Sequence, residues 1–227
     1  MKEKNGENIE INDDETYHEE YIHRWDLHVH TVIGSPCANY DSLQIPHYAN
    51  LENLDGIVIT DHNFGWAADN VTVQRYDKLL KSFKEHGVLA LIGMEVTCGQ
   101  NDILIYPEDI TAFVDKLPGG LGRMDFDVGE VVETADKVGA LSVLAHPHSC
   151  PGKNEVMFDA IERYNGIRGV FHNPYGIPEV AGSDAHFPWG VGKALTLFPE
   201  EIGEISDIVR LVKEGRCRPT RKVGLNG

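Results

Sequence analysis

Histidine and acidic residues follow short apolar runs in this chain, and these residue types bind metal ions. The first example is the pair His28 and His30, which a single residue separates. In a β-strand alternate side chains share a face, so both imidazoles would face one cavity while Leu27 and Val29 face a packed layer. One such pair is also typical of a half-polar edge strand, so the interpretation depends on whether the pattern recurs.

Four further clusters repeat this pattern. In chain order they are Asp61 and His62, Glu95, His146 and His148, and Asp184 and His186. A single cluster is more often a helix cap or a hydrogen-bonded core histidine, but five are hard to explain in that way. Imidazole and carboxylate together form a ligand set that suits zinc, manganese or iron. A carboxylate such as Glu95 or Asp184 could bridge two ions, so the site could hold more than one.

The chain around these clusters alternates between apolar runs and amphipathic segments. Apolar runs predict strands at about residues 25–31, 56–60, 88–92, 103–106, 140–145, 179–181 and 194–198. Helical spacing and capping residues predict helices at about residues 41–51, 73–86, 128–137 and 200–214, whereas residues 158–165 fit either element. Such repeated units predict an α/β fold with a parallel sheet, either open or closed into a barrel. In these folds chemistry gathers at the carboxyl ends of strands, where this chain has its polar clusters.

The composition favours one acidic domain. The chain of 227 residues can bury a substantial core, and we expect residues 1–22 to be a mobile acidic extension of a catalytic domain at 23–227. The formal net charge of −16 opposes binding to nucleic acid or to anionic membranes. The apolar runs are too short for a membrane span, and residues 1–4 lead into an acidic stretch rather than the apolar core of a signal peptide, which predicts a cytoplasmic location. The four cysteines include no Cys-x-x-Cys pair, so we expect reduced thiols.

Five motifs resemble, in order, those of the polymerase and histidinol phosphatase (PHP) domain family. They are Asp-Leu-His-Val-His-Thr at 26–31, Ile-Thr-Asp-His at 59–62, Gly-Met-Glu-Val-Thr at 93–97, Ala-His-Pro-His at 145–148 and Gly-Ser-Asp-Ala-His at 182–186. The resemblance covers nearly the whole chain beyond residue 24, and the motifs are highly specific as a set. It implies a distorted (β/α)7 barrel that holds two or three divalent ions (zinc, manganese or iron) at the strand carboxyl ends.

The resemblance also implies which residues bind each ion. The expected ligands are His28, His30, Glu95 and Asp184 for the first ion, Glu95 and His146 for the second, and His62 and His186 for the third. Asp102 stands where the family has a histidine and is a weaker candidate for the second ion. Asp61 is expected to orient an imidazole rather than to bind metal.

Two other departures from the family concern the third ion and an outer helix. The usual ligand after the first motif is missing from residues 31–37, where Cys37 or Asp41 could substitute. Residues 167–180 are too few for the usual helix and its loops, so we expect that outer helix to be cut down. His172 in this segment could also bind metal, although a surface position is the favoured interpretation.

The expected function is that of a metal-dependent phosphoesterase acting on a small phosphorylated metabolite or nucleotide. A metal-bound hydroxide would attack phosphorus in line while the ions neutralise the other phosphoryl oxygens. His186 or His148 could protonate the leaving oxygen, since imidazole titrates near neutral pH.

Positively charged side chains away from the metals are expected to bind the substrate phosphate. The candidates are Arg163, Arg168, Lys153 and Arg123, although an ordinary surface charge is the commoner role for each. One alternative function is a PHP-type nuclease, which the acidic charge disfavours. The other is a non-catalytic domain that binds metal or regulates a partner.

Overall fold

The computed structural model of the chain describes residues 20–68, 72–147 and 158–222. Three predictions lie wholly or mostly outside these residues: the acidic extension, His148 and Lys153. None of the described helices is long and apolar enough to cross a membrane.

Strands and helices alternate along most of the described chain. The strands are β1 His23–Val29, β2 Gly56–Ile59, β3 Leu89–Ile92, β4 Met94–Cys98, β5 Asn101–Tyr106, β6 Leu141–Ala145, β7 Ala160–Asn165, β8 Gly169–Val170, β9 Glu179–Gly182, β10 Ala194–Phe198 and β11 Arg218–Arg221. The α-helices are α1 Ile45–Leu51, α2 Asn63–Ala68, α3 Asp77–Glu85, α4 Ile110–Lys116, α5 Val128–Lys137 and α6 Ile205–Lys213. Short 3-10 turns precede α1 and α3, at Ser42–Gln44 and Val73–Tyr76.

Local signals explain where several elements begin and end. Helix α5 has the predicted bounds, because Asp127 and Glu130 form a reciprocal capping box at its start. Strand β2 is buried throughout, as expected of a parallel strand that is covered on both faces. The segment between β7 and β9 contains only the short strand β8, which confirms that one outer helix is cut down.

The strands form two sheets of mixed direction. The first has the order β11-β10-β1-β2-β3, and the second has the order β4-β5-β6-β7-β8, with β9 beside β7. The pairs within β1-β2-β3 and within β6-β7-β9 are parallel, as predicted. The prediction of a parallel sheet is wrong at β5, which runs antiparallel to both β4 and β6, and at β10, which runs antiparallel to both β1 and β11.

Backbone hydrogen bonds connect the end of β1 to the segment that follows β9. His30 N donates to Ala185 O at 3.1 Å, and Asp184 N donates to His28 O at 2.8 Å. Gly182 lies at this junction, where a Cβ atom would come within 2.3 Å of His28 Cβ, so only glycine permits the approach. The mixed α/β fold is clear, and the closed seven-stranded barrel stays a prediction.

Two apolar clusters hold the sheets and helices together. One contains Val29 and Ile59 and packs beneath the helices α1 to α5, while the other contains Leu27 and Val58 and packs beneath α6. In β2 the clusters alternate along the strand, with Ile59 in the first and Val58 in the second, as period-two alternation requires. In β1 the prediction that Leu27 and Val29 face one packed layer is wrong, because they belong to different clusters and the register of β1 with β2 shifts between Asp26 and Val29.

Candidate metal centre

The predicted ligands converge from six strands or the segments that follow them, namely β1, β2, β4, β5, β6 and β9. Within the described residues, five groups have one ligand atom per residue within 4.8 Å of one another: His28, His30 and Glu95; His28, His146 and Asp184; Glu95, Asp102 and His146; His30, Asp184 and His186; and His30, Cys37 and His62. Asp102 reaches the cluster because β5 is antiparallel, which places the start of β5 beside the ends of β4 and β6. The structure thus brings the ligands that the resemblance implies for the three ions, together with Asp102, to one site.

Five of these side chains form what we call the inner group: His28, His30, Glu95, His146 and Asp184. Each is at most 3% exposed. Oxygen atoms of Glu95 and Asp184 each lie 3.2 Å from His30 Nε2 and 3.6 Å from His28 Nε2. The second oxygen of Glu95 lies 3.1 Å from His146 Nε2. Glu95 therefore lies between the ligands expected for the first ion and those expected for the second.

One atom of the inner group indicates that the residues fit a metal ion. Glu95 Oε2 is buried and accepts no hydrogen bond, although nitrogen atoms of His62, His30 and His28 lie 3.1 to 3.6 Å away. A buried carboxylate oxygen without a donor is costly, because it has lost its water without replacement. A buried carboxylate oxygen surrounded by imidazole nitrogen atoms suits zinc, manganese or iron.

Electrostatics inside the inner group also favour a cation. Burial alone would lower the pKa of His30, but the adjacent Asp184 and Glu95 carboxylates outweigh burial and raise it to about 9. Burial opposes ionisation of Glu95 as well, yet the surrounding imidazoles, His28 foremost, hold its pKa well below the usual range. The carboxylates are thus ionised at neutral pH, and a bound cation would replace the imidazole protons as their counter-charge.

Two residues that position the ligands, Glu162 and Asn165, are not among the predicted site residues. Glu162 Oε1 lies 3.1 Å from His28 Nδ1, and Glu162 Oε2 accepts from His146 N at 2.8 Å. Asn165 Nδ2 donates to Glu162 at 3.0 Å and to Asp184 at 3.2 Å. A carboxylate that holds Nδ1 of a histidine leaves Nε2 free to bind metal. The sequence signal that could have indicated Glu162 is its position as an acidic residue within the segment that forms β7.

Asp61 contacts the inner group indirectly. It accepts from Thr31 N and Ser35 Oγ at 2.6 Å and from Tyr76 Oη at 2.8 Å. Ser35 Oγ in turn lies 3.0 Å from His30 Nδ1. Asp61 belongs to none of the ligand groups of the described residues, so its contacts are those of a residue that orients an imidazole.

Backbone strain coincides with two of the candidate ligands. His146 has φ of 22° and Asp184 has φ of 55°. Among the described residues, the other non-glycine residue with positive φ is Asn53, which ends the turn after α1. Residues are held in this sparsely populated region only where their surroundings enforce it, and such positions cluster at functional sites.

Three residues at the exposed edge of the inner group form what we call the outer group: Cys37, His62 and His186. The His62 ring stacks on His30 at 4.6 Å between centroids, and the His186 ring lies 4.5 Å from His30. Burial lowers the pKa of His62 to about 4, and burial together with His30 lowers that of His186. Both imidazoles are therefore neutral at pH 7, which suits a ligand better than an acid.

The structure separates the three residues considered as substitute ligands. Cys37 lies within reach of His30 and His62, and burial followed by the charge of Glu95 raises its pKa to about 11. Asp41 instead caps the turn before α1, where its side chain accepts from Leu43 N at 3.0 Å. His172 is exposed and belongs to none of the ligand groups of the described residues.

The predicted substrate-binding cations differ in position. Arg168 is about half exposed, and its Nε lies 3.8 Å from Asp184 Oδ2. Arg163 instead contacts Glu179 and donates to the carbonyl of Phe171. Arg123 forms ion pairs with two acidic residues of its own loop and helix, Asp125 and Glu130. Of the described candidates, the structure brings Arg168 to the cluster and does not bring Arg163 or Arg123.

Comparison with solved structures shows that the fold is shared at low sequence identity. The lesion-specific endonuclease PfuEndoQ from Pyrococcus furiosus is 17% identical with a TM-score of 0.62, over 84% of this chain and 56% of the endonuclease. A protein described as a metal-dependent phosphoesterase, from Bifidobacterium adolescentis, is 16% identical with a TM-score of 0.53, over 88% and 97%. An amidohydrolase from Chromobacterium violaceum is 16% identical with a TM-score of 0.51, over 89% and 99%. This chain thus spans little more than half of the endonuclease.

One family model matches part of the chain. Residues 163–217, from β7 to the end of the loop before β11, match the model of the PHP-associated family. No curated protein matches the chain in sequence. The match covers about a quarter of the chain and supports the resemblance to the PHP domain family seen in the motifs.

Proposed function

We propose that this protein is a metal-dependent phosphoesterase that hydrolyses a small phosphorylated metabolite or nucleotide. The observation that carries the proposal is the buried Glu95 carboxylate, one oxygen of which faces His146 while the other faces His28, His30 and His62. A carboxylate in this position can bridge two ions. His28, His30 and Asp184 would complete the first set of ligands, and His146 with Asp102 would complete the second.

Ions held by these residues would supply a nucleophile at neutral pH and stabilise negative charge on the phosphoryl oxygens. The protein's own contribution is to fix the ligands before the substrate arrives. Glu162 holds His28, and Ser35 with Asp61 holds His30, so neither imidazole has to reorient. Pre-organised charges of this kind stabilise a transition state without the cost of rearrangement.

Arg168 supports the choice of a phosphoryl substrate. Its guanidinium lies at the edge of the cluster beside Asp184, where part of it stays accessible to solvent. A guanidinium can bind two phosphate oxygens at once and so orient the group that is to be cleaved. The net charge of −16 disfavours long polyanions, so we propose a small substrate rather than nucleic acid.

His186 is better suited to bind metal than to act as the acid that protonates the leaving group. The ring lies beside Asp184, and its Nδ1 is 2.8 Å from Asp184 O, which favours the tautomer with hydrogen on Nδ1. Because its pKa is lowered, the neutral imidazole has a free Nε2 that suits metal binding. His148, the other histidine proposed as the acid, lies outside the described residues.

Metal content and hydrolysis, measured on the same sample, test the proposal. Protein loaded with zinc, manganese or iron should bind at least two ions per chain and hydrolyse a phosphomonoester or a phosphodiester such as a nitrophenyl phosphate. Fewer than two bound ions without turnover would indicate a non-catalytic domain instead. Cleavage of single-stranded DNA in preference to small esters would favour a nuclease.

A further inference from the structure

The loop after the first motif is built to hold one exposed cysteine against the metal centre. Two successive turns fix its course, since Ser35 N donates to Thr31 O at 2.9 Å and Ala38 N donates to Ser35 O at 3.0 Å. At Gly34 a Cβ atom would lie 2.7 Å from Tyr76 Oη, so glycine is needed for the loop to pack this closely. Cys37 lies in the second of these turns, and its position is therefore fixed by buried neighbours.

The surroundings of Cys37 indicate a cation rather than a hydrogen-bonded thiol. Ligand atoms of Cys37, His30 and His62 lie within 4.8 Å of one another. The nearest imidazole atom to Glu95 Oε2 is His62 Nδ1 at 3.1 Å, and both atoms are buried without a hydrogen bond. His62 Nδ1 and Glu95 Oε2 therefore leave a position between themselves and the Cys37 thiol that suits a cation.

We propose that Cys37 is a thiolate ligand of a metal ion held with His62 at the exposed edge of the metal centre. On binding, the thiol proton passes to solvent and a sulfur–metal bond forms, with no change of oxidation state. The proposal rests on the metal centre of the proposed function but not on hydrolysis. A thiolate in place of an oxygen ligand favours zinc over manganese at this position, whereas the inner group has only nitrogen and oxygen atoms.

Cobalt(II) provides a direct test, because a thiolate ligand adds a sulfur-to-cobalt charge-transfer band in the near ultraviolet to the visible bands of the ion. Metal-free protein titrated with cobalt should develop this band. The variant Cys37→Ser should lose both the band and about one bound ion. The variant Cys37→Asp should keep the ion and lose the band, because a carboxylate can still ligate.

Other cysteines provide the matched controls. Cys98 is buried in β4 and Cys217 is partly buried before β11, and both are free thiols. The variants Cys98→Ser and Cys217→Ser should keep the band. As a second measurement, bound zinc should slow alkylation of Cys37 in the unaltered protein, with mass spectrometry locating the modified residue.

The outcomes separate this proposal from the proposed function. Visible cobalt bands without the charge-transfer band would overturn the thiolate ligand and leave the metal centre intact. A band that persists in Cys37→Ser would also overturn it, and would direct attention to Cys150. Failure to bind cobalt at all would refute both proposals. In competition experiments Cys37→Asp should lower the selectivity of one metal site for zinc over manganese by about 10-fold.

Discussion

The inner and outer groups of the metal centre use similar residue types in very different surroundings. The inner side chains are at most 3% exposed, whereas His62 is 14% and His186 is 22% exposed. Hydrogen bonds to buried side chains orient His28 and His30, while the His62 ring stacks on His30 and Phe64 and His186 contacts the carbonyl oxygen of Asp184. The inner group is thus suited to bind ions permanently, and the outer group to exchange its ion or admit substrate.

Glu95 is the residue on which both groups depend, so its removal should have the largest effect. The variant Glu95→Gln should lower metal affinity more than 100-fold, since loss of a residue that merely orients a ligand costs about 10- to 100-fold. Isothermal titration with zinc would measure this change. Circular dichroism should show that the metal-free variant remains folded.

A matched control for Glu95 is available on the surface. Glu133 is exposed and pairs with Lys137 one helical turn away, so Glu133→Gln should leave metal affinity unchanged. An equal loss of metal affinity in Glu95→Gln and Glu133→Gln would mean that the effect comes from the change in net charge. An unchanged affinity in Glu95→Gln would remove the basis for a shared carboxylate between the two groups.

Glu162 tests whether orientation distinguishes the inner group from the outer group. The variant Glu162→Gln keeps the shape of the side chain but removes the charge that holds His28 and the backbone of His146. We expect zinc affinity at the inner group to fall about 10- to 100-fold. The cobalt charge-transfer band from the outer group should persist, and its loss would show that the two groups are not independent.

Features that depend on residues close together in the sequence could be predicted, whereas features that depend on contacts between distant residues could not. Helix α5 could be predicted with its bounds, because a capping box and helical spacing are local. The antiparallel direction of β5 could not, since it depends on which strands become neighbours. The predicted ligands followed strand ends, a rule that holds for any α/β fold.

The residues that sequence reasoning missed act through tertiary contacts. In β7 the register with β9 shifts between Glu162 and Tyr164, so simple alternation does not say which side chain faces the ligands. The sequence likewise does not show which of Arg163 and Arg168 lies near the ligands. The position of Cys37 likewise depends on two turns and on Gly34 packed against Tyr76.

Removal of ions with a weak chelator should show the difference in exposure directly. Dipicolinate added to protein loaded with zinc should release about one ion per chain before the others, because the outer ligands are accessible to solvent. The measurement is released zinc against time, with a chromogenic indicator. Cys37→Ser should lack the early phase, and release of all ions in a single phase would contradict a division into two groups.

The smallest effect should come from replacing Arg168, the positively charged side chain at the edge of the metal centre. Arg168→Ala should raise KM for a phosphoester about 10-fold without changing metal content, because a charged hydrogen bond to phosphate is lost from a site that remains partly solvated. Arg163→Ala is the matched control, since its guanidinium contacts Glu179 and the carbonyl of Phe171 instead. If the two variants behave alike in steady-state kinetics, Arg168 does not bind the substrate phosphate. A decrease in metal content in Arg168→Ala would instead mean that this arginine stabilises Asp184, and therefore the inner group.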